Sequence, residues 1–487
     1  MKLHRASTRI AVLLAVTFAV TGPSGVHPRQ ARAEPPCAVV DGAPFTAVIV
    51  DQVPPATPRN VGAHESGGPF AGPLPSGSRI VVVDLMTNDA SVRHLTEGFD
   101  AAGRADLSFD AKHILFVGRR TSSEPLSVWE LTLATSHLRQ VTQQPGDCFG
   151  AIYLSTYFSM QTGEPVPLIC FSALVDGSVA LFTCQPDGTH VRRITFHPMD
   201  TEHPRLLDDG RLLFSVPRPS TNLHVRCPPG DSERGDRVQM TIHVDGADVC
   251  GFTGAAAVGA DSLNGPVLGM PLPAVVTSDR SRSIDPRHES RVRQLLDADR
   301  WDEANLLPVA SRRQPPGRSS AIDDRQECGQ IYCLNAYLMG KRVIGPAEGT
   351  RISAVRVIRG TRRADAESGD RSAGPCRFPL VETALAEVPV EADGSFFMTV
   401  PARTAIRLET LNAEGRVLNA MKSWMCVMPN EVRGCIGCHE DRTLAPPNRL
   451  VLAWRKLPHR VSVAPDDHAH LPDRMQTMDS TTPERKP

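Results

Sequence analysis

Apolar residues recur in this chain in runs of strand length, bounded by small polar and turn-forming residues, and three of these runs repeat as a unit. VVDLMTNDASVRHLT, VWELTLATSHLRQVT and LFTCQPDGTHVRRIT align without gaps and end at Thr96, Thr142 and Thr195. Each begins as an apolar strand, turns through small polar residues and returns as apolar-Arg-polar-apolar-Thr, loosely kept. Their ends lie 46 and 53 residues apart, a spacing of propeller blades rather than helical solenoids. Between them, SFDAKHILFV and LDDGRLLFSV each read as a turn followed by a strand, and they are expected to be the inner strands of the following blades. A four-stranded blade cannot bury both faces alone, and closing a ring of blades removes the exposed edges. A β-sandwich built from similar hairpins is the competing arrangement. The pattern predicts a mainly β protein with an N-terminal β-propeller of five to six blades over residues 40–285.

Further along the pattern changes. Residues 286–327 are rich in Arg, Asp, Ser and Pro and read as a charged linker whose charges face solvent. One helix-like piece, residues 289–307, would place Val292, Leu295, Leu296, Trp301 and Leu306 on one stripe. Residues 328–460 return to strand-like runs at 331–338, 352–358, 395–400 and 405–411, with Asp393-Gly394 as a hairpin turn, and read as a β-sandwich-like module. Residues 461–487 are polar and Pro-rich and are expected to be disordered.

Composition narrows the class. The 487 residues exceed one ordinary core, and 22% charged with 41% hydrophobic residues suits a folded chain. Lys+Arg at 53 against Asp+Glu at 54 argues against a nucleic-acid partner. At the N-terminus, Lys2, Arg5 and Arg9 precede a short apolar run over residues 10–20, and Ala31-Arg32-Ala33 has the look of a signal-peptidase site. Residues 1–33 therefore read as a signal peptide, with a short membrane anchor as the alternative; its removal leaves 48 basic against 54 acidic residues, a net −6. The expectation is a periplasmic or otherwise exported protein with no stable membrane insertion after cleavage.

The chemistry sits in Cys435-Ile436-Gly437-Cys438-His439, a C-x-x-C-H run. Two thiols at this spacing can reach the two vinyl groups on one porphyrin edge, and the adjacent imidazole can reach the iron, so the run reads as covalent attachment of haem c. Gly434 and Gly437 would let the macrocycle approach the backbone. The competing readings are a C-x-x-C disulfide or half a zinc site. Met425, Met428 and His459 are the candidates for a second axial ligand on iron. The other ten of the 12 Cys are compatible with disulfides. No phosphate loop or Ser/His/Asp arrangement stands out, and no catalytic residue is assigned.

DGSFFMTVPARTAIRLETLNAEGRVLNAMKSWMCVMPNEVRGCIGCHEDRTLAPP and GQIYCLNAYL resemble the middle domain of the hydrazine synthase alpha subunit family, and the repeats resemble the PD-repeat propellers of the Tol translocation system. The first resemblance implies a propeller followed by a haem c domain. It also implies a tyrosine ligand to iron four residues past the motif histidine, where this chain has Thr443, and zinc on the histidine, with Cys333 as a candidate partner of His439. The family's further haem domain is not expected in this chain. Three readings remain, and these departures favour the first over the second. The first is an exported mono-haem electron-transfer protein whose propeller docks a redox protein partner. The second is a haem enzyme acting on small nitrogen compounds; a propeller binding module with a structural haem is a third arrangement.

Overall fold

The computed structural model describes residues 45–54, 74–85, 91–160, 163–175, 177–217, 237–251, 289–290, 292, 295–296, 301–339, 342–343, 351–362, 380–421, 423–439 and 450–462. The fold is mainly β. Among the described residues no helix is long and apolar enough to cross a membrane. The expected signal peptide, most of the expected tail and Thr443 lie outside the described residues.

The repeats build four-stranded antiparallel sheets, four of them described. Blade 2 runs Ala101–Leu107, His113–Arg119, Ser127–Thr132, Leu138–Gln140 in simple up-and-down order, and blade 4 runs Glu202–Leu206, Leu212–Pro217, Arg237–Ile242, Cys250–Gly251 in the same way. Blade 3 orders Cys148–Tyr153, Ile169–Val175, Ser178–Cys184 and Arg192–Arg193. SFDAKHILFV and LDDGRLLFSV therefore supply the second strand of their sheets and not the inner one. The inner strands are GRAD- and EHPR-type segments too polar to stand out by pattern.

Each fifteen-residue repeat is the outer hairpin of a blade, and its terminal threonine has a defined task. Thr96, Thr142 and Thr195 are buried. Their hydroxyls accept the backbone N–H of Ile80, Val128 and Leu181 at 3.0, 2.8 and 2.8 Å. The apolar residue before each threonine donates its N–H to the carbonyl of that same residue. The polar end of the hairpin is thus satisfied inside the core, as a buried backbone group requires.

Blade 1 joins distant parts of the chain. Its strands Ala47–Val53, Arg79–Asp84 and Val92–His94 are completed on the inner side by Asp302–Pro308, antiparallel to the first. The residues expected to extend a helix to 307 form this closing strand instead. The helical turns that precede it bury Val292 and Leu296 against Val48, Val50, Val81 and Val83. Asp51 ties the closure together: one carboxylate oxygen accepts the N–H of Arg104 at 2.6 Å, the N–H of Ala105 at 3.2 Å and Asn305 Nδ2 at 3.1 Å. Three strands from two blades meet on this group.

From the closing strand the chain crosses blades 2, 3 and 4 in turn. Arg312 donates to Leu107 O at 2.8 Å and lies over the Phe109 ring. Gln314 reaches Leu154 O, Arg318–Ser320 pairs in parallel with Tyr157–Ser159, and Arg318 Nη1 meets His243 Nδ1 at 3.1 Å. Arg312 and Arg318 dock this strap, and the Arg312 side chain is only 7% exposed, while Arg313 and Arg325 face solvent.

The chain then enters a two-sheet sandwich. One sheet orders Arg342–Val343, Cys328–Met339, Phe396–Pro401 and His459–Arg460, with Val432–His439 also paired to Cys328–Met339; the other orders Leu380–Pro389, Ala354–Arg362, Ile406–Leu411 and Val417–Ala420. Alternating residues of both sheets, among them Ile331, Cys333, Val355, Val357, Val388, Met398, Val400 and Ile406, interdigitate as its core.

Candidate functional site

The C-x-x-C-H run lies on the strand Val432–His439, parallel to Cys328–Met339, with Cys435 beside Cys333, Gly437 beside Asn335 and His439 beside Met339. Parallel pairing between segments so far apart leaves no local hairpin signal, which is why this strand was not among those expected. The register slips between Asn335 and Met339.

The root of this strand is held by the propeller. In Met425–Met428 the side chains alternate between two cores: Met425 and Val427 sit in the sandwich, while Cys426 and Met428 insert among Ile194, Phe196, Phe214 and Val249 of blades 3 and 4. Met428 seats over the turn at Gly246, where a β-carbon would lie 2.9 Å from its methyl and where φ is +92°. Glu431 accepts the N–H of Met428 at 2.6 Å and the N–H of Asp248 at 3.0 Å, and burial pushes its carboxyl above the ordinary range. Buried Arg433 donates to Val249 O. Arg362 to Asp200 at 3.2 Å, and Arg192 and Arg403 both on Asp324, add ion pairs across the same boundary. His197 lines a narrow apolar pocket here with Phe196, Trp424, Met425 and Cys426. Burial presses its pKa down to about 4, and the neutral ring accepts the Met199 N–H at Nδ1.

The DGS turn braces the neighbouring strand Cys328–Met339 and the segment that follows the motif. Asp393 accepts the N–H of Leu452 at 2.9 Å, Ser395 Oγ accepts that of Ala453 at 3.0 Å, and Gly394 O accepts that of Ala336 at 2.7 Å. These bonds fix the short 3-10 helix Leu452–Arg455 against the sheet. Its Trp454 meets the Tyr332 ring edge-on at 5.1 Å. Tyr332 in turn lies across Gly434, where a β-carbon would sit 2.4 Å from the phenol oxygen. Gly437 faces Leu338 in the same way. The close neighbours of both glycines are thus this chain's own atoms, the Tyr332 ring at Gly434 and the Leu338 carbonyl oxygen and β-carbon at Gly437.

The predicted site residues separate. Cys333 is buried in the sandwich core beside Cys435, six positions along its strand from Met339, the neighbour of His439. Met425 is core of the sandwich and Met428 core of the propeller boundary; His459 is exposed on the strand beside Met398. The strand backbone passes through Cys438 and His439. Of the cysteines whose number is compatible with disulfides, Cys148, Cys170, Cys184, Cys328 and Cys426 stand as thiols, and burial pushes Cys148, Cys184 and Cys426 up to about 12, so these three are inert packing groups. Among the described residues no three His, Cys, Asp or Glu side chains converge as a metal site.

The donor set of two thiols and an imidazole fits covalent haem. In an extended strand, however, positions 435 and 438 fall on opposite faces, so joining both to one porphyrin edge requires residues 436–439 to leave the ladder. They lie where the register already slips.

Residues 350–440 match the family described as the hydrazine synthase alpha subunit middle domain. The hydrazine synthase subunit alpha of Kuenenia stuttgartiensis is 35% identical over 91 residues, 19% of this chain and 11% of that protein. The chain therefore aligns with about a tenth of the length of this curated relative. The solved Kuenenia stuttgartiensis hydrazine synthase superposes over 85% of this chain and 71% of its own, with a TM-score of 0.61 at 16% identity, a likeness of fold. TolB from Acinetobacter baumannii covers 44% of this chain and 42% of its own at 16% identity, with a TM-score of 0.27.

Proposed function

We propose that the chain is an exported, mono-haem c-type redox protein in which the propeller presents the haem-bearing strand to a protein partner. Cys435 and Cys438 would hold the group by thioether bonds and His439 would ligate its iron; the group supplies one-electron chemistry, tuned by ligation and burial. The observation that carries the reading is the rooting of the strand Val432–His439. Glu431, Arg433 and Met428 fix its base to blade 4, and Tyr332, backed by Trp454, lies across it at Gly434. A redox centre in such a frame changes its surroundings little when an electron arrives. The chain's own residues exclude water from one side of the strand, where Cys435 packs against the sandwich core.

The match of residues 350–440 to a hydrazine synthase domain favours a second reading, a haem enzyme acting on small nitrogen compounds. Spectra of the haem-loaded chain, oxidised and reduced, with and without carbon monoxide, separate the two. A low-spin spectrum indifferent to carbon monoxide means both axial positions are filled and supports electron transfer. A high-spin spectrum that shifts with carbon monoxide means an open iron position and favours the enzyme.

A further inference from the structure

We propose that Tyr332 and Trp454 form the wall against which the porphyrin packs. This rests on the reading of Cys435-Ile436-Gly437-Cys438-His439 as a haem-attachment run. Nine large hydrophobic residues are conspicuously exposed among the described residues, and four of them, Val432, Leu450, Trp454 and Leu457, fall in the short stretch around the motif strand. Leu457 is 93% and Trp454 44% exposed. Exposed apolar residues concentrated in one segment and set against the motif strand through Trp454 and Tyr332 are the kind of surface that marks a binding site.

The patch is also held in position. Trp454 is carried on a helical turn fixed by Asp393 and Ser395, with Lys456 Nζ on Glu391 at 2.6 Å just beyond it. The indole then rests edge-on against Tyr332, whose ring lies on the backbone of Gly434, the residue before Cys435. In an extended strand position 438 shares the face of Gly434 while Cys435 turns to the sandwich core. A partly exposed aromatic pair ordered this firmly beside Gly434 therefore suits a flat apolar ring tethered through Cys438. Packing on the pair would cover apolar surface on both sides and give the ring-to-ring contact that aromatic groups favour.

The test uses the full chain expressed with c-type haem maturation, unsubstituted and as Trp454→Phe, Trp454→Leu and Tyr332→Leu, with Trp301→Phe as control. Trp301 stacks under Arg79 in blade 1, away from the motif. Haem retained in denaturing gels reports attachment, and circular dichroism in the Soret band reports coupling of the porphyrin to neighbouring aromatic rings. The expected result is full haem retention in every chain, a Soret dichroism reduced by about half in Trp454→Leu and Tyr332→Leu, a smaller change in Trp454→Phe, and none in Trp301→Phe. Soret dichroism unchanged in all three site variants, with haem attached, would overturn the wall and leave the patch to a protein partner. Absence of attached haem in the unsubstituted chain would instead overturn the attachment reading, and the wall with it.

Discussion

The repeated blades and the motif strand are both β structure, held by opposite means. In blades 1 to 3 each hairpin closes on itself, with Thr96, Thr142 or Thr195 accepting a hydrogen bond from the N–H of a residue 14 or 16 positions earlier. The strand Val432–His439 pairs with residues about a hundred positions away and is anchored at its base by blade 4. Local closure makes a blade tolerant of loss at one point. Anchoring through a few buried groups concentrates the dependence of the site on them.

That contrast is sharpest at Glu431. Its two carboxylate oxygens hold two part-buried N–H groups from different domains, so Glu431→Ala is expected to cost about 2–3 kcal/mol, read as a lowered denaturation midpoint. The loss of the Asp248 contact should also expose the 424–433 segment to proteolysis. A midpoint equal to that of the unsubstituted chain would break the comparison. Gly246→Ala strikes the same boundary from the propeller side. A side chain at φ +92° facing Met428 is expected to cost about 1–3 kcal/mol, measured by the same unfolding curves. Thr142→Val should cost less, about 1–2 kcal/mol, because the rest of its hairpin still closes, and it should leave haem attachment unchanged.

Two buried titrating groups sharpen the comparison through pH, with opposite signs. Burial lifts the Asp51 carboxyl from 3.8 to about 7, so the folded protein keeps a proton that the unfolded chain releases. The propeller's closure therefore loses stability as pH rises from about 4 to 7. Asp51→Asn, which keeps an acceptor for the three donors, should flatten that slope in melting temperatures taken across the range. At the domain boundary His197 is held neutral, its pKa lowered from 6.5 to about 4. The unfolded chain takes up a proton first as pH falls through this window, so the boundary loses stability toward acid. His197→Gln should remove that loss, the smallest of these effects, with melts at pH 7 and 5 as the measure.

The same division governs what the sequence made legible. The hairpins ending in Thr96, Thr142 and Thr195 repeat because one local bond pattern repeats, and four runs of the sandwich follow from alternation alone. The closing strand Asp302–Pro308 was hidden by a helix-like spacing of Val292, Leu296 and Leu306, since its partner Ala47–Val53 lies at the other end of the propeller. Among the site residues, Cys435, Cys438 and His439 announce their chemistry by type and spacing. Glu431, Arg433, Tyr332 and Trp454 give no such signal, because their roles exist only once blade 4, the DGS turn and the motif strand are assembled. The Asp393-Gly394-Ser395 turn was visible as a hairpin, but its grip on Leu452 and Ala453 was not. Met425 and Met428 were drawn in as iron ligands by proximity in sequence, and packing assigns them to two cores.

The central claim is that the rooted strand carries covalent haem. Its most direct test is the intact mass of the full chain expressed with c-type haem maturation, beside the Cys435→Ala/Cys438→Ala double variant. The account predicts the mass of the polypeptide plus one haem for the first and the bare polypeptide for the second. A bare mass for both, or a haem retained after both cysteines are removed, would contradict it.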